Sequence, residues 1–280
     1  MFKLSKKKKG SPQKIPYNIF QMFLCDRPFN SLEDLPTYKY SSLDNICCMR
    51  DAASSFINLN PEYNYYFYDQ DGALDYINSL EDNGQFGFCL SEYKKCYDKI
   101  NSNTLKSDFF RLLLIYIEGG IYVDADAYCR FSFSSFIGKD DILVSGTGKR
   151  GEIHFACLAY APKNQLIGLT IQEGIKNILS FNDDISLENI CGAPILNKVF
   201  KTIFPTESLE LSNLQFVGWK ILKDRGSVKI AKRINFSGGN FSIVEGDHLG
   251  GALKFQYPRY KNDLISLGAS YWKQDKKIIE

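Results

Sequence analysis

Two aspartates separated by one residue, Asp124 and Asp126, have the types and spacing best suited to chemistry in this chain. They follow the apolar residues 121–123, a predicted strand, and side chains two apart in an extended segment point the same way. Paired carboxylate oxygens suit Mg²⁺ or Mn²⁺ held jointly with a diphosphate, where the cation neutralises charge on the departing group. A D-x-D motif also arises by chance in solvated loops, so its setting in the chain decides its meaning.

The residues before the aspartates predict a helix that leads directly into their strand. Thr104 or Ser107 could cap a helix that runs to Glu118, and Gly119 and Gly120 would end it. The aspartates would then lie at the carboxyl end of a buried strand. Ligands of open α/β sheets bind at that edge, so the setting favours a ligand site.

Asp108 and Arg111 lie three residues apart and share one face of this helix. The rest of the helix is strongly apolar, and the pair would therefore be largely buried near the end of the strand. A structural ion pair and a ligand-binding pair both fit this spacing.

The other segments predict a single α/β domain over residues 14–280, with a mixed, mainly parallel sheet flanked by helices. Residues 15–23 and 63–68 indicate strands, whereas residues 31–60 and 73–100 indicate helices. Residues 1–13 predict a disordered basic arm.

Charge and composition exclude several classes of function. The 280 residues are 44% hydrophobic, too apolar for a disordered chain, and neither a membrane-spanning segment nor a secretory signal is expected. The eight cysteines form no C-x-x-C pair, and His154 and His248 are the only histidines, so a zinc site is not expected. The scattered cysteines indicate reduced thiols in a cytoplasm.

The formal charge of +2 is unevenly distributed along the chain. The first fourteen residues contain six lysines and no acid, and the remaining residues carry a charge of −4. This distribution argues against nucleic acid as a partner. The lysines form either a solvated tail or a peripheral contact with anionic lipid on the inner face of the cytoplasmic membrane.

The pattern Asp108-x-x-Arg111, then Gly119-Gly120-x-Tyr122-x-Asp124-x-Asp126, resembles that of glycosyltransferase family 32. This family of D-x-D sugar transferases includes enzymes of capsule and lipopolysaccharide synthesis, and the clostridial glucosylating toxins share the spacing. Residues 15–23 and 60–69 are similar to the family's opening strands. They depart from its pattern at Phe20 and Phe23, where the family usually has histidine and tryptophan.

The resemblance implies a GT-A fold, a nucleotide-diphospho-sugar donor with UDP favoured, a Mn²⁺ or Mg²⁺ cofactor, and retention at the anomeric carbon. Carried over by position, Asp124 and Asp126 would hold the metal, and Asp108, Arg111 and Asp124 would be the catalytic group. Donor-binding residues would be Phe20, Gln21, Phe23, Asp108, Arg111, Tyr122, Asp124 and Trp272. Tyr122 and Phe23 are alternatively plain core aromatics.

Residues 240–280 would close over the donor, with Ser270 as a third metal ligand and Trp272 reaching phosphate or packing in the core. His248 is a further phosphate candidate. The expected acceptor is a hydroxyl of a glycan or lipid-linked glycan in bacterial surface polysaccharide synthesis. The alternatives are a sugar-nucleotide-binding protein that has lost catalysis and a toxin-like transferase that modifies a protein.

Overall fold

The computed structural model describes residues 1–4, 13–25, 27–39, 46–82, 84–147, 152–181, 186–205, 218–222, 226–236, 239–245, 252–269 and 279. Its strands are β1 (Phe2–Leu4), β2 (Asn18–Met22), β3 (Asn64–Tyr68), β4 (Gly120–Val123), β5 (Tyr128–Cys129), β6 (Asp141–Thr147), β7 (Cys157–Tyr160), β8 (Gly218–Leu222), β9 (Gly226–Phe236), β10 (Gly239–Glu245) and β11 (Leu253–Lys254). Its α-helices are α1 (Met49–Leu59), α2 (Gln70–Ser79), α3 (Leu90–Lys99), α4 (Asn103–Glu118), α5 (Gln165–Leu179), α6 (Glu188–Cys191), α7 (Ala193–Ile203) and α8 (Tyr260–Ser266). No helix in these ranges is long and apolar enough to cross a bilayer.

Nine strands form one mixed sheet in the order β1-β3-β2-β4-β7-β6-β10-β9-β8, and β11 pairs with β5 beside it. Strands β3, β2 and β4 are parallel to one another, as are β6 and β10, whereas the remaining neighbours are antiparallel. The prediction of an α/β fold with a mixed sheet flanked by helices is confirmed. The parallel block β3-β2-β4 carries the aspartates at its carboxyl edge.

Alternating residues of the central strands build two apolar cores, one on each face of the sheet. Phe20 and Tyr122 face the core that contains α2 to α5 and α7, whereas Ile19, Ile121 and their neighbours face the core that contains α1 and α8. This alternation follows from the two-residue period of a strand. It determines which side chains can reach the edge of the sheet.

The turn between α4 and β4 depends on two consecutive glycines. Gly119 and Gly120 have φ values of 61° and 107°, in the region that favours glycine. A Cβ on Gly119 would lie 2.6 Å from Cδ of Pro162, and one on Gly120 would lie 2.7 Å from the Asn18 carbonyl oxygen. The glycines therefore end α4 as predicted and let β4 enter the sheet beside β2. The helix itself begins earlier than predicted, because Ser102 is its N-cap and accepts a hydrogen bond from the Leu105 N–H.

The expectation of a disordered arm over residues 1–13 is wrong for its first residues. Strand β1 pairs antiparallel with β3 at the edge of the sheet. Phe2 is buried, and its ring stacks on Phe67 with centroids 5.4 Å apart. The Met1 amino group also forms an ion pair with Asp69 at 2.9 Å. The high lysine content of this segment concealed the apolar residues Met1, Phe2 and Leu4 at its start.

Candidate functional site

The two aspartates lie on a turn that follows β4, and the expectation of an extended D-x-D segment is wrong. The Ala127 N–H donates to the Asp124 carbonyl oxygen over 3.1 Å and closes the turn. The Gln21 amide donates to the same oxygen over 3.0 Å, and the Tyr65 hydroxyl donates to Oε1 of Gln21 over 2.6 Å. Both carboxylates nevertheless border one cavity, because the turn brings Asp126 back beside Asp124.

Arg111 is buried beside this turn, and each of its three guanidinium nitrogens contacts protein atoms. Nη1 lies 2.9 Å from Oδ1 of Asp124 and 3.2 Å from the Phe155 carbonyl oxygen. Nη2 lies 2.8 Å from Oδ1 of Asp108 and 3.3 Å from the Ser107 hydroxyl, and Nε donates to the Ser107 carbonyl oxygen over 3.4 Å. The guanidinium thus joins the Asp124 carboxylate to helix α4, which also carries Asp108, and a donor contact would have to replace one of these interactions.

Two aromatic rings lie against the Arg111 guanidinium. Its carbon is 4.6 Å from the ring centroid of Tyr122 and 5.0 Å from that of Phe155, geometry that allows cation–π attraction. The Tyr122 hydroxyl donates to Oδ1 of Asp124 over 3.2 Å and lies 3.3 Å from the Ser107 hydroxyl. Tyr122 is therefore a buried residue that contacts both Arg111 and Asp124 and helps to hold them in place.

Asp108 binds Arg111 from the other side of the guanidinium. Its Oδ2 faces Gly192 at the start of α7, where a Cβ would come within 3.4 Å. Burial raises the pKa of this carboxyl to about 6, against the opposing effect of the Arg111 charge. Asp108 therefore ionises less readily than an exposed aspartate, although a cation lies next to it.

Asp126 carries a buried oxygen without a protein partner. Its Oδ1 has no hydrogen-bond partner among the described residues. Burial and the neighbouring Asp124 raise the pKa of the Asp126 carboxyl to about 7. An orphaned carboxylate oxygen is costly unless something binds it, so this atom is suited to a cation.

The donor set around Asp126 fits Mg²⁺ or Mn²⁺ better than a cation that needs an all-protein cage. The described residues contain no group of three or more histidine, cysteine, aspartate or glutamate side chains placed to hold a metal. Mg²⁺ commonly binds through one or two carboxylates together with substrate phosphates. Asp124 and Asp126 supply that number of carboxylates.

A cavity of about 240 Å³ opens in front of the turn. Its walls come from residues 22–24 at the end of β2, from the face of α4 that carries Asn103, Thr104, Ser107 and Arg111, and from residues 256–269. Small-molecule pockets typically measure about 300–1,000 Å³, so this cavity would hold part of a nucleotide sugar.

Phe20 in β2 and Phe23 just after it, the aromatic candidates for donor binding, lie in different environments. Phe23 lines the cavity, although only 8% of its surface is exposed and its ring also packs against Phe29. Phe20 lies in the core and stacks on Tyr66 with ring centroids 5.1 Å apart. Its expected contact with the donor does not fit this position, because strand alternation turns Phe20 towards α4. Gln21 is likewise buried and serves the turn through Asp124.

The candidates near the end of the chain, Ser270, Trp272 and His248, lie outside the described residues. Sequence reasoning missed the cavity residues Asn103, Gln256 and Tyr260. Asn103, Ser107 and Arg111 are spaced by four residues, a spacing that places them on one helix face and could have revealed Asn103. No local pattern points to Gln256 or Tyr260.

Comparison with known proteins identifies the region that holds this site. The family model described as a glycosyltransferase sugar-binding region containing a DXD motif matches residues 48–143. An uncharacterized glycosyltransferase of Acanthamoeba polyphaga mimivirus is 30% identical over 91 residues. That alignment covers 32% of this chain and 33% of the viral protein, and so spans about a third of each.

Two transferases are among the solved structures that align with this chain. The PaToxG glycosyltransferase aligns with a TM-score of 0.49 and 15% identity, over 69% of this chain and 71% of that one. The bacterial N-acetylglucosamine transferase NleB aligns with a TM-score of 0.36 and 13% identity, over 72% of this chain and 91% of that one. The sequence match includes α4, β4 and both aspartates of the turn. Residues 48–143 are therefore similar to a glycosyltransferase sugar-binding region that contains a DXD motif, and the matching stretch includes Asp124 and Asp126.

Proposed function

We propose that this chain is a metal-dependent glycosyltransferase with a GT-A fold. It would transfer a sugar from a nucleotide-diphosphate sugar, most readily a UDP-sugar, to a hydroxyl of a glycan or lipid-linked glycan. The observation that carries the proposal is the D-x-D turn, where Asp124 and Asp126 both border a cavity and one buried oxygen of Asp126 has no partner among the described residues. The family match over residues 48–143 supports a sugar donor.

Asp124 and Asp126 would hold Mn²⁺ or Mg²⁺, and Ser270 is proposed as a third ligand. When bound, this cation supplies neutralising charge for the departing nucleoside diphosphate. Arg111 fixes the Asp124 carboxylate from behind, and Gln21 fixes its main-chain carbonyl. The protein thus has the turn in place before the donor arrives, which lowers the reorganisation needed during reaction.

The transfer would retain the configuration of the anomeric carbon. The bond from this carbon to the phosphate oxygen breaks, and its electron pair stays on phosphate. The acceptor oxygen bonds to the same face of the sugar, and its proton passes to the departing phosphate oxygen. The described residues that line the cavity include no histidine and no glutamate, which favours this route over one with a strong protein base.

The decisive experiment incubates the protein with a panel of nucleotide sugars and Mn²⁺ and measures hydrolysis in the absence of an acceptor. We expect a UDP-sugar to be cleaved, with release of UDP that EDTA stops. The exposed carboxylate of Asp75 on α2 offers the control variant Asp75→Asn, which should hydrolyse the donor like the wild type. Binding of UDP without cleavage of any donor would instead identify a sugar-nucleotide-binding protein.

The lysines near the N-terminus suggest where the enzyme works. We propose that Lys6, Lys7, Lys8 and Lys9 bring it to the inner face of the cytoplasmic membrane, where lipid-linked acceptors of surface polysaccharide synthesis are located. Each lysine near an anionic surface contributes about 1 kcal/mol. Replacing all four by glutamine should weaken sedimentation with anionic vesicles at low salt. Equal sedimentation of both proteins would exclude this contact.

A further inference from the structure

The cavity in front of the D-x-D turn has one polar wall and one mainly apolar wall. The polar wall is the face of α4 that carries Asn103, Thr104, Ser107 and Arg111. The other wall, here called the apolar wall, belongs to the core on the opposite face of the sheet and consists of Phe23, Tyr260, Leu264 and Ala269. Both aspartates of the turn border the same cavity. A ligand that fills it therefore needs an apolar part as well as hydroxyl or charged groups.

Phe23 has a fixed position in the apolar wall. Its N–H donates to the Tyr68 carbonyl oxygen over 3.0 Å, which extends the pairing of β2 with β3 by one residue. Strand alternation turns Phe23 towards the core that contains α1 and α8, and its ring packs against Phe29 with centroids 6.5 Å apart. The ring therefore cannot turn away from the cavity without opening this core.

Leu264 and Ala269 are held together by the turn that ends α8. The Ala269 N–H donates to the Leu264 carbonyl oxygen over 3.0 Å, and the Gly268 N–H donates to the Ile265 carbonyl oxygen over 3.1 Å. Gly268 between them has a left-handed backbone with φ of 67°. These bonds form a Schellman motif, in which side chains at the positions of Leu264 and Ala269 commonly make an apolar contact. The motif thus fixes two neighbouring members of the apolar wall.

Helix α8 is itself attached to α1 on the same face of the sheet. The Met49 N–H, at the start of α1, donates to Oδ2 of Asp263 over 2.9 Å. The Arg259 N–H donates to the Cys47 carbonyl oxygen over 3.2 Å. Packed interiors resist deformation, so the apolar wall has a defined shape and can select ligands by size.

The exposed area of the apolar wall suits the edge of a flat group. Phe23 is 8% exposed and Leu264 is 6% exposed, so neither offers a broad face on which a sugar ring could stack. The cavity volume of about 240 Å³ lies below the usual range of about 300–1,000 Å³ for small-molecule pockets, which leaves a bound group little spare room. The flat part of a nucleotide-diphosphate sugar is its base, and every base has a face that packs against an aromatic ring.

The other parts of such a donor match the other surfaces of the cavity. The diphosphate is expected at Asp124 and Asp126, because its charge needs the cation proposed there. The hydroxyls of ribose and sugar meet hydrogen-bonding side chains on the polar wall, where Asn103, Thr104 and Ser107 lie. The base is therefore the part that remains for the apolar wall.

We propose that the apolar wall binds the nucleobase and that Leu264 is a specificity-determining residue that limits this base to a single ring. In this arrangement a pyrimidine packs against Phe23 and Leu264, whereas the second ring of a purine overlaps the Leu264 side chain. The inference rests on the proposed function, because it assumes a nucleoside-diphosphate donor. It assigns the preference for the base to α8, which lies outside the family match over residues 48–143.

Substitutions at two neighbouring leucines separate a role in the cavity from a role in the core. Leu264→Ala shortens the apolar wall and makes room for a second ring. Leu267→Ala is the matched control, because Leu267 is 7% exposed in the same core but does not border the cavity. Ala269→Leu tests the opposite change, since it adds bulk at a half-buried position of the wall and removes no core contact.

Isothermal titration calorimetry in Mn²⁺ measures the affinities of these proteins for UDP, CDP, GDP and ADP, beside thermal melts. We expect wild type to bind its tightest pyrimidine nucleotide about tenfold or more tightly than its tightest purine nucleotide, the discrimination that pocket shape commonly supplies. Leu264→Ala should lower this ratio by about tenfold, and Ala269→Leu should weaken UDP binding by about tenfold. Leu267→Ala should keep the ratio within about threefold of wild type, although its melting temperature falls as in Leu264→Ala.

Three results would overturn the inference. They are a wild-type protein that binds a purine nucleotide as tightly as a pyrimidine nucleotide, an unchanged ratio in Leu264→Ala, and an equal drop of the ratio in Leu267→Ala. If Leu264→Ala does not fold, unchanged UDP affinity in Ala269→Leu overturns it instead.

Failure of the proposed function gives a different result. If wild type binds none of the four nucleotides in a manner that depends on Mn²⁺, the proposed function fails and this inference fails with it. If wild type binds UDP with Mn²⁺ and the ratio does not depend on Leu264, the proposed function stands and only the role of the apolar wall is removed.

Discussion

Nη1 of Arg111 lies 2.9 Å from Oδ1 of Asp124, and this contact ties helix α4 to the D-x-D turn. The other terminal nitrogen of Arg111 lies 2.8 Å from Oδ1 of Asp108. One buried guanidinium thus contacts two carboxylates, both of them catalytic candidates. The pair predicted from helix spacing is therefore part of a three-residue arrangement that includes the turn.

Arg111→Lys should destabilise the fold and weaken nucleotide binding together. An ammonium keeps the charge but cannot reach Asp108, Asp124, Ser107 and Phe155 at once, and unpaired buried partners cost about 2 kcal/mol or more. Thermal melts and calorimetry with UDP and Mn²⁺ measure both effects. The exposed Arg130 provides the control substitution Arg130→Lys. If Arg111→Lys loses turnover but keeps its melting temperature and UDP affinity, Arg111 serves the donor sugar rather than the turn.

Asp126→Asn should nearly abolish donor cleavage without unfolding the protein. The amide keeps the shape of the side chain but removes the charge that binds a hard cation. We expect more than a tenfold loss of turnover at ordinary Mn²⁺ concentration, which corresponds to about 1.4 kcal/mol of transition-state stabilisation. Hydrolysis assays beside Asp75→Asn test this. Activity above a tenth of the wild-type value would remove Asp126 from the metal site.

The elements that carry the site follow from local sequence features. The apolar run of α4, the glycine pair and the apolar strand β4 are strong short-range patterns, and they fix the order helix, turn, strand, aspartates. The spacing of Asp108 and Arg111 likewise follows from helix geometry. These predictions are accurate because each depends on neighbours within one or two helical turns.

The remaining wall of the site depends on contacts that local patterns do not encode. Residues 252–269 reach the turn from more than a hundred positions away, through short pairings such as β11 with β5. Phe20 lies away from the cavity and Phe23 lines it. This difference depends on where β2 ends, and the aromatic-rich sequence does not show where that strand ends. The extended D-x-D was mispredicted because the strand stops at Val123.

The stability of the metal-free protein should fall as pH rises from about 4 to about 7. The pKa of Asp126 is raised to about 7 and that of Asp108 to about 6, so both carboxyls bind protons more tightly when folded than when unfolded. Their stabilising effect is complete below the unfolded pKa and is lost as pH rises through the folded values.

Denaturant unfolding in EDTA across this pH range measures the change. Asp126→Asn should lose about 1 kcal/mol less stability than wild type between pH 5 and pH 8, because its side chain does not ionise. Asp75→Asn should follow the wild-type curve. Parallel curves for wild type and Asp126→Asn would show that Asp126 ionises normally in the folded protein.

Gln21→Leu should reduce both stability and Mn²⁺ affinity. The substitution leaves the Tyr65 hydroxyl without its buried acceptor and removes one of the two donors to the Asp124 carbonyl oxygen, which keeps its bond from Ala127. An unsatisfied buried group costs about 1–3 kcal/mol. Tyr65→Phe removes only one of these bonds and should cost less. Melting curves and Mn²⁺ titrations of both variants rank the effects. Unchanged Mn²⁺ affinity in Gln21→Leu would show that the turn holds its shape without this support.

Phe2→Ala should destabilise the protein by about 3 kcal/mol, within the usual range for a buried phenylalanine. Phe2 is 5% exposed and stacks on Phe67, so its loss opens a cavity beside β3. The neighbouring Lys3→Ala is the control, since Lys3 is exposed and only its ammonium lies over the Tyr66 ring at 5.0 Å. Equal melting temperatures for Phe2→Ala and wild type would mean that β1 adds nothing to the sheet.

If Phe2 is as important as its burial indicates, deleting residues 1–9 removes a strand as well as charge. Membrane binding must therefore be tested by replacing Lys6, Lys7, Lys8 and Lys9 with glutamine, which leaves β1 in place.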